Sequence, residues 1–331
     1  MRKIATHRAP DSGSGRARRI PRPLVALAGL ALAGVTAAVP AAQAADAGPD
    51  TARSGPGALQ EVWRTDFDGA AGSPPSAEDW ITDTGHGYPG GPPNWGTGEV
   101  QEYTGDPANL SLDGEGHLKI TALKNGETWT SARIETQRKD FAAPEGGTLR
   151  IEASLKLPEV SGDEALGYWP AFWTLGADFR GNYQNWPGVG EFDVMENVNG
   201  ENVAHGVLHC GVNPGGPCNE TQGIGGQGDC GGSCKDGFHT YAVELDRTGA
   251  NEELRWYQDD KVIHTVTEEQ VGADTWKQAT DHGHFILLNL AMGGAFPDGA
   301  AGRATPTETT KPGASLLVDH VAVSTTGGAA Q

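Results

Sequence analysis

Glu191-Phe192-Asp193-Val194-Met195-Glu196 sets three carboxylates among three apolar residues within six positions. Apolar and polar residues in alternation describe a β-strand with one buried face. The polar face of this strand carries only acids, and like charges on one strand face are destabilising. In a regular strand Glu191 and Asp193 share a face while Phe192 and Val194 point into the core. Strict alternation would send Glu196 to the core side, where an unpaired carboxylate is costly. One β-bulge at Val194-Met195, with Met195 as the odd residue, returns Glu196 to the face of the other two acids. Three carboxylates on one strand face suit acid–base chemistry at a sugar carbon. Retaining glycosidases hold two carboxyls about 5–5.5 Å apart, one as nucleophile and one as acid/base, and a third can spread their pKa values. Acidic strands also bind calcium, although Phe, Val and Met between the acids are poor companions for that.

The texture around this strand is uniform. Runs of β-formers such as Leu118–Leu123, Leu149–Leu157, Thr240–Leu245, Leu254–Gln258, Lys261–Val266, Phe285–Leu290 and Leu316–Val323 are separated by Gly, Pro, Asn and Asp. Several alternate with period two, and no long stretch shows a helical period. With 49 glycines to serve many turns, the expected fold is an all-β sandwich without an internal repeat or a separate binding module. Residues 1–44 have the order of a secretion signal: a basic start, the apolar run Leu24–Val39 and the small-residue site Ala42-Gln43-Ala44. The alternative, a membrane anchor, is disfavoured because the apolar run is short and ends at Pro40. Arg18-Arg19 also allows a twin-arginine signal, a match that Pro21 and Pro23 weaken. Residues 45–57 read as a flexible linker, 58–326 as the catalytic domain and 327–331 as a tail.

Without residues 1–44 the chain keeps 17 basic and 42 acidic residues, a net charge of −25. That surface repels nucleic acid and anionic membranes, so a neutral polysaccharide is the expected partner. The protein is expected to be secreted and monomeric, free of the membrane once the signal is cleaved. Cys210, Cys218, Cys230 and Cys234 fall within 25 residues. In an exported protein they read as two disulfides stapling one long loop, with three connectivities open. Their spacing does not match the paired C-x2-C of structural zinc sites.

The acidic strand resembles the E-x-D-x-x-E signature of glycoside hydrolase family 16. Tyr168-Trp169-Pro170-Ala171-Phe172-Trp173-Thr174-Leu175-Gly176 is similar to the W-P-A-F-W-L-L-G segment of its laminarinase-like members, and Ser131-Ala132-Arg133-Ile134 to their S-A-R strand. Ile286–Gly294 is similar to I-L-N-L-A-V-G-G, and Val318–Val323 to the closing V-D-Y-V-R-V strand. The resemblance runs from about Trp63 to Val323. It implies a jelly-roll β-sandwich of the concanavalin A-like type with a concave substrate cleft, and endo cleavage with retained configuration. It implies Glu191 as nucleophile, Glu196 as acid/base and Asp193 as the assisting carboxylate. The extra residue before Glu196 resembles the laminarinase-like branch, which points to β-1,3-glucan. An endo-β-1,3-galactanase of the same family is the alternative, and a non-catalytic glucan-binding protein a more distant one, since all three acids are present.

Flat sugar faces stack on indoles, so Trp169 and Trp173, four apart on an extended run, are candidate platforms. Trp95 and Trp186 lie in Gly/Pro-rich loops and are candidates for the cleft rim. The resemblance suggests that Arg133 contacts sugar hydroxyls or braces the nucleophile. His205 and His209 share a strand face, and His209 resembles a histidine of the family cleft. No cofactor is expected for catalysis. Family members often carry a structural calcium on the convex side. Asp319 matches an aspartate of that site, and Asp68-Gly69 could supply its other strand. The segments Ala177–Val189 and Gly211–Lys235 are long beside the compact members and are expected to form the cleft walls.

Overall fold

The computed structural model describes residues 58–326. The signal, linker and tail expected at 1–57 and 327–331 lie outside the described residues. Two antiparallel sheets face each other. The first runs Ile224–Asp229, Val203–His209, Glu191–Glu196, Tyr168–Gly176, His284–Met292, Arg133–Thr136, Trp80–Asp83 in spatial order. The second runs Lys261–Thr267, Glu253–Gln258, His239–Asp246, Thr148–Lys156, Ser315–Thr325, Leu118–Thr121, Leu110–Leu112, with Gln60–Thr65 also pairing with Ser315–Thr325. Six of the seven runs of β-formers named above fall on single strands, and Leu118–Leu123 breaks at Ala122 between the strands Leu118–Thr121 and Leu123–Asn125. This is the jelly-roll sandwich that the sequence predicts.

The central strand His284–Met292 shows how the layers assemble. All nine of its residues are buried. Ile286, Leu288, Leu290 and Met292 enter the core between the sheets. Phe285 and Leu287 join a second apolar cluster with Leu175, Phe179 and Val189 on the opposite face. Alternation is therefore kept, but both faces are covered, so the strand reads as a continuous apolar run. Asn289 continues the Phe285/Leu287 face and is the lone amide of the run.

Three short helices, Glu268–Val271, Ala273–Thr280 and Ala295–Ala301, were not legible. None spans more than eight residues, too few for a period to emerge. None of the described helices is long and apolar enough to cross a membrane.

The segment expected as one stapled loop differs from that expectation. It contains the edge strand Ile224–Asp229, and the bridges are local, Cys210–Cys218 and Cys230–Cys234. Both bridges leave no free cysteine for zinc among the described residues. The strand Ile224-Gly225-Gly226-Gln227-Gly228-Asp229 was hidden by its glycines, which are poor strand formers. They are there for close approach: a Cβ at Gly226 would collide with His264, and one at Gly228 with Gln258 and Ile263. The edge of the first sheet closes against the second at this point.

Candidate active site

The bulge forms where the sequence places it, with a shift in which residue is extra. Asp193 pairs with Val207 and Glu196 with His205, so three steps on one strand meet two on the other. On the other side Phe172 pairs with Met195 and Trp173 with Asp193, so the residue skipped is Val194 rather than Met195. Val194 and Met195 both enter the core beside Phe192, which rotates Glu196 outward. The indole of Trp256, from the second sheet, donates to the Asp193 carbonyl at 2.8 Å. Gly206, opposite the bulge, makes this approach feasible, since a Cβ there would overlap the Trp256 ring.

Glu191, Asp193 and Glu196 consequently line one cleft of about 350 Å³, together with Trp95, Arg133, Trp169, Trp173, Trp186 and Asn289. Each outer acid accepts from an indole: Trp186 Nε1 donates to Glu191 Oε2 at 3.1 Å and Trp169 Nε1 to Glu196 Oε1 at 2.8 Å. Two of the candidate tryptophans thus hold the acids, beyond any role as platforms. Trp173 Nε1 donates to Asn289 Oδ1 at 2.7 Å. Trp95 lies over the Arg133 guanidinium, 4.5 Å from ring centre to Cζ.

Arg133 is 4 % exposed and is not bonded to Glu191. Its Nε donates to Asp83 Oδ2 at 3.1 Å and its Nη2 to the Tyr88 hydroxyl at 3.0 Å. Its plane also meets the rings of Tyr88 and Trp173. Tyr88 stacks on Tyr183 with ring centres 4.3 Å apart, joining the loop around residue 88 to the 177–189 wall. Tyr88 and Tyr183 carry no motif of their own, and Asn289 lies in the I-L-N-L-like segment but was not singled out there. Only Asn289, an amide inside an apolar strand, left a readable signal.

His209 ends the strand Val203–His209, opposite Glu191, and its Nε2 lies 3.4 Å from Asp193 Oδ2. Its Nδ1 lies 2.8 Å from Glu220 Oε2. His205 sits opposite Glu196 but contacts Glu201 and Phe296. Its burial pushes its pKa down.

Electrostatics follow from this crowding. Burial lifts the Glu191 pKa to about 7, with His209 opposing and Glu196 reinforcing the rise. Burial, then Glu191 and Glu196, push Asp193 well above the carboxylate range. Burial also raises Glu196, against the Trp169 hydrogen bond and His209. His209 is driven down by burial, but the Glu220 hydrogen bond with Asp193 and Glu191 reverses this and takes it up to about 10. Glu191, Asp193 and His209 form the one group of three or more metal-capable side chains among the described residues. Within this group His209 is turned to the acids on both ring edges, with Nε2 toward Asp193 and Nδ1 toward Glu220. Asp319 belongs to no such group, and its Oδ2 is 2.9 Å from His320 Nδ1.

Residues 122–227 match the family described as "XgeA-like, catalytic GH16 domain". A beta-glucanase of Rhodothermus marinus is 31% identical over 277 residues, covering 79% of this chain and 84% of that protein. The chain belongs to glycoside hydrolase family 16. The crystal structure of an endo-1,3-beta-glucanase from Streptomyces sioyaensis superposes on this family member with a TM-score of 0.80. The two share 52% identity, over 86% of this chain and 100% of that one. The glucan endo-1,3-beta-glucosidase A1 of Niallia circulans is 29% identical over 280 residues, 79% of this chain. This family member spans 37% of the length of that protein.

Proposed function

We propose that the protein is a secreted, endo-acting, retaining β-glucan hydrolase that cuts β-1,3-glucan of the laminarin type. The observation that carries this is the bulged strand: skipping Val194 brings Glu191, Asp193 and Glu196 to one cleft, each outer acid held by an indole. The glucanase relatives support the substrate. The two local disulfides and the acidic surface suit export and a neutral polymer.

In the first step Glu191 attacks the anomeric carbon while the bond to the leaving sugar breaks, and Glu196 passes its proton to the departing oxygen. In the second, Glu196 takes a proton from water, the water oxygen bonds to the anomeric carbon, and Glu191 leaves. Two inversions restore the configuration, and one water is consumed per bond. Burial and its acidic neighbours push the Asp193 pKa up, which favours its neutral form beside an ionised Glu191. His209 supplies the countercharge when Glu191 ionises.

Product analysis on laminarin, mixed-linkage glucan and β-1,3-galactan side by side tests the substrate. Laminarin should fall to short oligosaccharides whose new reducing ends appear first as the β-anomer by NMR. Intact laminarin beside cleaved galactan would overturn the choice of glucan. Trp169→Phe tests the acid/base role of Glu196. Without the indole donor the Glu196 pKa rises further, so the alkaline limb of the kcat/KM profile should move to higher pH. An unmoved limb would detach that limb from Glu196.

A further inference from the structure

Glu220 is a buried acid that no motif marks. Its side chain is 0 % exposed, and both carboxylate oxygens are engaged. One accepts the Cys210 backbone N–H at 2.9 Å and the other meets His209 Nδ1 at 2.8 Å. Its own backbone is exchanged in both directions with Gly215, across the turn that Cys210–Cys218 closes. The carboxylate is thus delivered by a cross-linked turn rather than by a mobile loop. A buried carboxylate is tolerated only against a cation or several donors, and the cation it meets is His209. The opposite ring edge faces Asp193 Oδ2 at 3.4 Å. The charged groups bearing on His209 are Glu191, Asp193 and Glu196 from the bulged strand and Glu220 from the turn. The segment on its other side brings Gly223, whose hydrogen leaves just enough room for His209 Cε1. Trp186, with ring centres 5.6 Å apart, covers the cleft side.

We propose that Glu220 is a positioning residue for the reaction: clamped beside the Cys210–Cys218 bridge, it fixes His209 with a proton on each ring nitrogen and its Nε2 edge toward Asp193. The imidazolium then faces the acid strand as a fixed positive charge, which lets Glu191 ionise next to Asp193 and Glu196. The net rise of the His209 pKa agrees with this geometry. Glu220 acts only through His209 and touches no reacting atom. The inference rests on the roles proposed for Glu191 and Asp193.

The test follows the His209 ring nitrogens by NMR in histidine-labelled protein, beside the pH profile of laminarin hydrolysis. In the wild type His209 should remain an imidazolium from pH 5 to 8. In Glu220→Gln it should titrate within that window. Losing the His209 countercharge raises the Glu191 pKa by more than the loss of the Glu220 charge lowers it, so the acid limb of kcat/KM should move up by about one pH unit. At pH 6 kcat should fall about tenfold, with KM changed by less than about twofold. Glu220→Asp, which keeps the charge on a shorter arm, should recover part of both effects. A wild-type His209 that titrates at the ordinary histidine value overturns the inference, and that measurement requires no variant to fold. So does a Glu220→Gln protein whose melting temperature drops while its His209 titration and pH profile stay put, the mark of a purely structural acid. The NMR readout needs no turnover. An inactive wild type would therefore sink the proposed function while leaving the His209 titration to decide this point.

Discussion

Glu191→Gln is expected to lower kcat on laminarin on the order of 10⁵–10⁶-fold, the scale of losing a covalent nucleophile. Glu196→Gln should cost about 10²–10⁴-fold, the scale of losing a general acid. Glu196→Gln should also be partly spared on an aryl glycoside, whose leaving group needs no proton. Azide separates the roles. In Glu196→Ala the glycosyl-enzyme still forms, and azide displaces Glu191 from the anomeric carbon to give a glycosyl azide of retained configuration. In Glu191→Ala azide takes the nucleophile's place and gives the inverted product. Near-wild-type turnover in either glutamine variant, or the same azide anomer from both, would refute the assignment.

The same substitution should stabilise the fold. A carboxyl whose folded pKa exceeds its unfolded value binds its proton more tightly in the native state. The fold therefore loses stability as pH rises from the unfolded value, near 4.5, through about 7 for Glu191. Each unit of that shift corresponds to about 1.4 kcal/mol once the group must ionise. At pH 8 Glu191→Gln should melt above the wild type, and the gain should fade by pH 4. Burial raises the pKa of all three acids, so their ionised forms cost the fold stability, and the proposed chemistry is the reason for keeping them together on one strand face.

How much of this the sequence revealed depends on whether a residue's neighbour lies nearby in the chain. The bulged strand is a local pattern, so the facing of Glu191, Asp193 and Glu196 followed from alternation and the cost of burying Glu196. Only the ladder to Tyr168–Gly176 could reveal that Val194, not Met195, is the extra residue, because a bulge is defined by its partner strand. Trp256 and Gly206 support the bulge from elsewhere in the chain. Neither could be linked to it by periodicity. Glu220 was invisible for a similar reason: an acid in a Gly-rich loop looks solvated until the turn is closed by Cys210–Cys218. The glycine-rich edge strand was missed because its residues are chosen for lack of bulk, not for apolarity.

Arg133→Met should be the most damaging change away from the acids. Removing one partner of a buried ion pair costs about 3–5 kcal/mol, because the other charge stays buried without compensation. Here the stranded group is Asp83, since Glu135 keeps Arg180 Nε at 2.8 Å. Methionine also cannot replace the planar cation among Trp95, Trp173 and Tyr88. The cleft wall should loosen and KM should rise along with the loss of stability. Arg133→Lys should rescue only part of this, lacking both the fork and the stacking plane. The cost should depend on pH with a definite sign. Burial already holds the Asp83 pKa at about 6 despite Arg133, and without the arginine it rises further. Above that pKa the variant must bury an unpaired carboxylate. As pH falls through it, Asp83 takes up a proton and the penalty shrinks. Urea unfolding at pH 8 and pH 5 should therefore give a larger gap between wild type and Arg133→Met at pH 8. Adding Asp83→Asn should restore stability to Arg133→Met while destabilising the wild type. A gap of equal size at both pH values, or additive single and double variants, would mean that Arg133 matters for its bulk among the rings and not for its charge.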